Sequence, residues 1–152
     1  MLGYGESSDA YHMSTPHPEG EGAALAMQRA LACASLRPES IDYINMHGTA
    51  SQVNDSMEDK AITATFGTNT PASSTKGWTG HALGAAGITE AVISALCIQQ
   101  GIKPGCLNAR RIDPSFTSRI LLNNETGRVT RVLSNSFGFG GSNASLIFGG
   151  MA

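Results

Sequence analysis

Two histidines and a lysine carry the chemistry this chain could do. His47 follows the apolar run "IDYINM" and precedes Gly48 and Thr49, while Lys76 and His81 share the glycine-rich stretch "STKGWTGHALGAAG". A neutral imidazole that donates one N–H can hold a developing oxyanion without giving up a full proton. Taken singly, His47 reads as a buried histidine satisfied by a neighbouring carbonyl. A second histidine in a glycine-rich loop tilts the reading toward a site. His81 is expected to open an apolar helix, where the positive end of the helix dipole disfavours imidazolium. Lys76, between an apolar run and that helix, is expected to be enclosed and therefore paired. Glu58 is the partner expected by type, although Asp55 and Glu58 could equally serve together as N-terminal capping acids of a helix.

Nothing among these residues forms a covalent intermediate. Cys33 and Cys97 fall in apolar helical runs and Cys106 in an ordinary loop, where thiols behave as small hydrophobes. The three cysteines show no CxxC spacing and are expected to be reduced, without disulfides. The histidines lack the i, i+4 spacing of a helical metal pair and have no carboxylate cluster, so no metal site is expected. The run "SNSFGFGGSN" has neither the phosphate-binding GxGxxG nor a GxSxG elbow. It reads as a flexible turn carrying Phe137 and Phe139, whose backbone amides could face a pocket.

Strands and helices must bring these loops together. "GEGAALAMQRALACASL" (20–36) has Ala24, Met27, Leu31 and Ala34 at helical spacing. "IDYINM" (41–46) reads as a strand buried on both faces, and "NDSMEDKAITATF" (54–66) as a helix capped by Asn54 or Asp55 and stopped by Gly67. "PASST" (71–75) reads as a strand leading into a helix from Ala82 to Gln100. That helix is apolar on nearly every side and is expected to lie inside the protein. Residues 119–123, 131–136 and 144–148 read as strands, the last two flanking the glycine-rich turn. The fold class expected is α/β, a mixed sheet with helices on both faces. The loops "HGTAS", "TKGWTGH" and "FGFGGSN" each follow a strand, and in an open α/β sheet function collects beyond the strands' carboxyl ends.

Composition narrows the partners. Only 14% of residues are charged, against about 25% in ordinary domains, which implies either that part of the surface is covered by another chain or domain or that the loops are unusually rich in Gly, Ser, Thr and Asn. A net charge of −2 without a basic footprint excludes nucleic acid as a partner. No apolar run of about 20 residues and no signal segment is read, so a cytoplasmic protein with no membrane association is expected.

"YINMHGTASQVND" with Glu58, "STKGWTGHALGAAGITEA" and "SNSFGFGGSNASLIF" together resemble the three C-terminal motifs of the β-ketoacyl-acyl carrier protein synthases, condensing enzymes of the thiolase-like fold. The likeness runs from Gly3 to Phe148, with the motifs in the family's order. It implies that residues 1–152 form the C-terminal half of a two-halved, usually dimeric enzyme whose N-terminal half supplies an acylated cysteine. It further implies that His47 and His81 bind the malonyl thioester carbonyl, that Lys76 is organised by Glu58, and that Asp55 supports the same network. Thr49 and Ser51 match positions that contact the phosphopantetheine arm. Phe139 matches a gate whose N–H helps form an oxyanion hole, with Phe137 beside it on the substrate side. The substrates implied ride on the phosphopantetheine of an acyl carrier protein, and no other cofactor is expected. The partners implied are that carrier protein, the N-terminal half, and a second subunit in a homo- or heterodimer. The isolated chain is expected not to condense anything. The alternative is a non-condensing homologue, either a malonyl decarboxylase or a chain-length-factor-like subunit. Ala50, Ser51 and Trp78 depart from the usual pattern, and Trp78 is the residue expected to reshape an acyl pocket.

Overall fold

The computed structural model describes residues 1–150. It contains strand β1 (Gly3–Ser8), helix α1 (Glu21–Ala34), β2 (Tyr43–Asn45), α2 (Gln52–Phe66), β3 (Pro71–Ser73) and the one-turn α3 (Lys76–Thr79). There follow α4 (Ala86–Gln100), β4 (Ile102–Lys103), β5 (Arg119–Ile120), β6 (Glu125–Thr126), β7 (Arg131–Gly138) and β8 (Ser142–Gly149). Six strands form one mixed sheet in the order β1-β8-β7-β2-β3-β5. The pairs β7-β2, β2-β3 and β3-β5 are parallel, while β1-β8 and β8-β7 are antiparallel.

Strand alternation divides the core in two. Ile44, Leu133 and Ile147 face α1 and α2 and join Met27, Leu31 and Ile62. Tyr43 and Val132 point the other way, toward Cys97 of α4 and Leu121. Helices on both faces are therefore observed, as expected.

β1 was not foreseen as a strand, because "GYGESS" carries no β-branched residue and two glycines that weaken strand propensity. The glycines explain themselves in three dimensions. A Cβ on Gly5 would stand 2.2 Å from Ala26 O, and one on Gly3 would stand 2.6 Å from Ala30 O. Only glycine lets α1 lie this close on the strand.

Three expectations need correction. Helix α2 is capped by Ser51, whose hydroxyl accepts from Asn54 N at 3.3 Å, so Asn54 and Asp55 are not the cap and Glu58 is not a capping acid. The helix after β3 begins at Ala86 rather than Ala82, because Leu83–Ala85 form a 3-10 turn with Leu83 at φ 50°. His81 thus lies in a loop, short of the helix N-terminus. Finally, α4 is not enclosed. Its sheet-facing stripe is Ala86, Glu90, Ser94 and Cys97, whereas Ile88 (67% exposed), Val92 (55%) and Leu96 (48%) face outward. Apolar composition signals that a helix is covered but not by what, and among the described residues nothing covers the outer face. By length and composition Leu83–Gln100 also reaches what a membrane crossing needs, yet its one charged residue, Glu90, is buried against the sheet.

Candidate functional site

Because β2, β3 and β7 run parallel, their carboxyl ends meet at one edge, and the three glycine-bearing loops meet with them. A cavity of about 1250 Å³ opens there, lined in part by His47, Thr49, Ser51, His81, Phe137 and Phe139. The loop geometry expected from the strand order is therefore present.

The two imidazoles face each other edge-on, with ring centroids 5.5 Å apart and planes at 85°. Their δ nitrogens are engaged. His81 Nδ1 accepts the N–H of Leu83 at 3.2 Å, and His47 Nδ1 lies 3.4 Å from the Lys76 ammonium. An Nδ1 that accepts carries no proton, so the neutral ring bears its hydrogen on Nε2. The Ala82 backbone (φ −81°, ψ 19°) aims the N–H of Leu83 at His81, and Leu83 itself sits at a positive φ of 50°. Burial, then the Lys76 ammonium, then His81 push the His47 pKa down to about 3. His47 is thus a neutral donor at physiological pH. The ring of Phe137, 5.7 Å from His47, closes one side.

Behind this wall stand two buried acids with different tasks. Glu58, 0% exposed, accepts His47 N at 2.8 Å on Oε1 and Gly48 N at 2.8 Å on Oε2. Asn135 Nδ2 donates to the same Oε1 at 3.1 Å, and Asn135 Oδ1 accepts from Ser145 Oγ at 2.7 Å. Burial pushes the Glu58 carboxyl up to about 7 against the pull of these donors. Lys76 is buried as expected, but its partner is not Glu58. Its Nζ pairs with Glu90 of α4 and donates to His47 O at 2.5 Å. The correction follows from topology: Glu58 sits on the α2 face of the sheet, filled with backbone N–H groups, while Lys76 enters from the α4 side. Burial raises the Glu90 carboxyl and the ion pair opposes that.

Glu90 and Asn135 are the residues sequence reasoning missed. Glu90 had a signal, as the lone charge in the apolar run 82–101, since a buried charge requires a partner. Asn135 had none beyond its place near a strand end. Asp55 is half-buried beneath Thr49 and Ala50, and burial raises its carboxyl. At the rim, Thr49 Oγ1 and Ser51 Oγ lie 3.1 Å apart, and Phe139 stands 88% exposed on the turn between β7 and β8. Trp78 does not reach this cavity. Its Nε1–H donates to Gly105 O at 3.2 Å, beside a small groove with Ile93 and Ile102, so the structure gives it no part in shaping the larger pocket.

No cysteine lines the cavity. Cys33 is exposed on α1, and burial pushes the Cys97 thiol up to about 11 and raises Cys106, the opposite of an activated nucleophile. Among the described residues no cluster of three metal-ligating side chains occurs.

Comparison with known proteins bears on what this wall does. Residues 1–110 match the family described as beta-ketoacyl synthase, C-terminal domain. The chain is 46% identical over 155 residues to the mitochondrial 3-oxoacyl-[acyl-carrier-protein] synthase of Arabidopsis thaliana, covering 97% of this chain and 34% of that protein. It superposes with a TM-score of 0.95 and 47% identity on a structure of a ketosynthase in complex with its chain length factor from Xenorhabdus doucetiae, covering 99% of this chain and 39% of that one. A structure of a type II polyketide acyl-carrier protein in complex with its ketosynthase matches with TM-score 0.94 at 28% identity, covering 99% of this chain and 38% of that one. The chain thus spans about a third of the length of the curated relative.

Proposed function

Given that the chain belongs to the β-ketoacyl synthase family through its C-terminal domain, we propose that it supplies the decarboxylating wall of a condensing enzyme acting on carrier-bound malonyl thioesters. The observation that carries this reading is the pair His47 and His81, edge-on at 5.5 Å in one cavity, both with δ nitrogens engaged.

The chemistry follows from those two donors. A malonyl thioester bound with its carbonyl oxygen between the two Nε2–H groups loses CO2 as the bond from its α-carbon to the carboxylate breaks. The electron pair passes into the enolate, whose oxygen both imidazoles hold. Each such donor contributes about 3 kcal/mol at the transition state. An imidazolium would hand its proton to the enolate and end the reaction as an acetyl thioester; His47, with its pKa near 3, resists this. Lys76 acts through His47 by occupying Nδ1, and Glu58 acts through the backbone of residues 47 and 48. The enolate carbon then attacks an acyl thioester on a cysteine, the carbon–sulfur bond breaks, and the thiolate leaves. That cysteine comes from outside this chain, as does the rest of a dimeric assembly, and the sequence of acylation and release gives ping-pong kinetics. Thr49 and Ser51 are assigned to the phosphopantetheine arm, and Phe137 and Phe139 to the acyl side. The exposed apolar face of α4 fits a role in covering by the remainder of such an enzyme.

The test is a chimera in which this chain replaces the corresponding third of the Arabidopsis relative. Condensation is expected, and His47→Ala or His81→Ala in the chimera should abolish malonyl decarboxylation while cysteine acylation persists. Decarboxylation retained in either variant overturns the assignment. Decarboxylation without condensation in the parent chimera would favour the non-condensing alternative.

A further inference from the structure

Glu58 is held by donors alone. Its Oε1 receives His47 N at 2.8 Å and Asn135 Nδ2 at 3.1 Å, and its Oε2 receives Gly48 N at 2.8 Å. That arrangement suits a carboxylate, which only accepts. Yet no lysine or arginine pairs with it among the described residues. Burial, joined by the like charge of Asp55 one turn back on α2, carries its pKa to about 7 against the three donors. The other groups around it do not offset this. Asp59, next on α2, is turned to Thr117 N and Ser118 N; Lys76 is taken by Glu90; α1 presents Met27, and the His47 ring stays neutral down to about pH 3.

Near neutral pH the site therefore has to hold Glu58 in both forms. The acid form carries an O–H that must donate, and a backbone N–H cannot turn to receive it. Asn135 can, because its amide has a donor on one side and an acceptor on the other. Asn135 and Ser145 stand directly opposite each other on β7 and β8, both 0% exposed, and Ser145 Oγ donates to Asn135 Oδ1 at 2.7 Å. A hydroxyl gives or receives as its partner requires. Half a turn of the amide sets Oδ1 against the Glu58 O–H and Nδ2 against Ser145 Oγ, and gives up the 3.5 Å contact of Nδ2 with Met27 Sδ. The protonated Oε1 is then a weaker acceptor for His47 N than the carboxylate was.

We propose that Asn135 is a positioning residue that reverses its amide whenever Glu58 takes up or releases a proton, so that the His47 backbone is held more firmly in the charged state than in the neutral one. The proton comes from bulk water and returns to it, and the O–H bond of Glu58 is the one covalent bond that forms or breaks. The relay stands on the hydrogen-bond geometry, while its consequence for chemistry in the cavity rests on the function proposed above.

The experiment follows the Glu58 carboxyl carbon, the Asn135 side-chain amide and the His47 backbone N–H by NMR of the 152-residue chain through pH 7. One shared midpoint is expected. The nuclear Overhauser contacts of the Asn135 amide hydrogens are expected to lie with the Met27 methyl above that midpoint and with the Ser145 β-hydrogens below it. A Glu58 carboxyl that titrates while those contacts stay with Met27, or that does not titrate near neutral pH at all, overturns the proposal. The Ser145 side-chain carbon should follow the same midpoint and lose that response in Asn135→Leu; a response that persists without the amide also overturns it, and if the variant does not fold the parent chain's contacts decide. In the chimera with the Arabidopsis relative, malonyl decarboxylation is expected to rise about fivefold through the midpoint, which is what one net hydrogen bond is worth. A reversing amide with a flat decarboxylation profile overturns the coupling to His47. A reversing amide in a chimera that decarboxylates at no pH refutes the functional reading alone.

Discussion

Replacing Glu90 by Gln isolates the contribution of the Lys76–Glu90 ion pair buried behind the candidate site. Glu90 is 1% and Lys76 8% exposed, so the variant leaves an ammonium with no counter-ion in a place water does not reach. Breaking a buried pair from one side costs about 3–5 kcal/mol, a large share of the roughly 5–15 kcal/mol that holds a domain together. The expected outcome is a loss of that size in urea unfolding. A second consequence is electrostatic. Lys76 lowers the His47 pKa and occupies its Nδ1. An ammonium that loses its proton or swings away lets that pKa rise from about 3, though not to the ordinary value, because burial is the larger cause. Proton NMR of the His47 ring across a pH titration reads this directly. Should the single variant fail to fold, Lys76→Met/Glu90→Leu removes both charges, and such replacements are often neutral or stabilising. The double variant is expected to recover most of the stability while the His47 pKa stays raised. A Glu90→Gln chain within about 1 kcal/mol of the parent, or a double variant no more stable than the single, would refute the reasoning.

Two ionisable groups should oppose each other in the pH dependence of stability. His47 has a folded pKa near 3, below the ordinary 6.5, so its contribution is present above pH 6.5 and is lost as pH falls toward 3. Glu58, raised to about 7 from 4.5, keeps a proton in the folded state, and its contribution is lost as pH rises from 4.5 through 7. Relative to the parent, His47→Gln is expected to make stability fall with pH between 4.5 and 6.5, and Glu58→Gln to make it rise; denaturant midpoints across that window check both slopes. Gly5→Ala should cost about 2 kcal/mol or more through its clash with α1, while Gly84→Ala, with nothing within 4 Å of the new methyl, should stay within about 0.5 kcal/mol; thermal melts separate them.

What could be read in the sequence was whatever depends on local pattern. The helices α1 and α2, the hairpin β7-β8 and the meeting of three post-strand loops all follow from spacing and turn residues near one another in the chain. What escaped depends on which layer of the sheet a residue enters. Glu58 and Glu90 are both acids on helices within reach of Lys76 by type, and only the side of the sheet decides that Glu90 pairs with it. The same blindness applied to α4, whose hydropathy announced a covered helix and could not say that its outer face stands exposed among the described residues. β1 escaped for a different reason: its glycines serve the helix above them, and propensity counts them against a strand.

The line from Ser145 through Asn135 runs in one donor direction, with an amide that receives on one end and gives on the other, and it ends on Glu58, where the backbone N–H of His47 arrives from the opposite side. An aspartate at position 135 would set an acceptor against Glu58 where a donor now stands, and a leucine would remove the acceptor of the Ser145 hydroxyl and one of the three donors to Glu58. As sequences drift, positions 58, 135 and 145 are therefore expected to change as a set or not at all, and a related protein with a new residue at one of them should carry a matching change at the others. The inheritance of the site is tied to a pair of residues on neighbouring strands, Asn135 and Ser145, that stand behind the cavity lining and not in it.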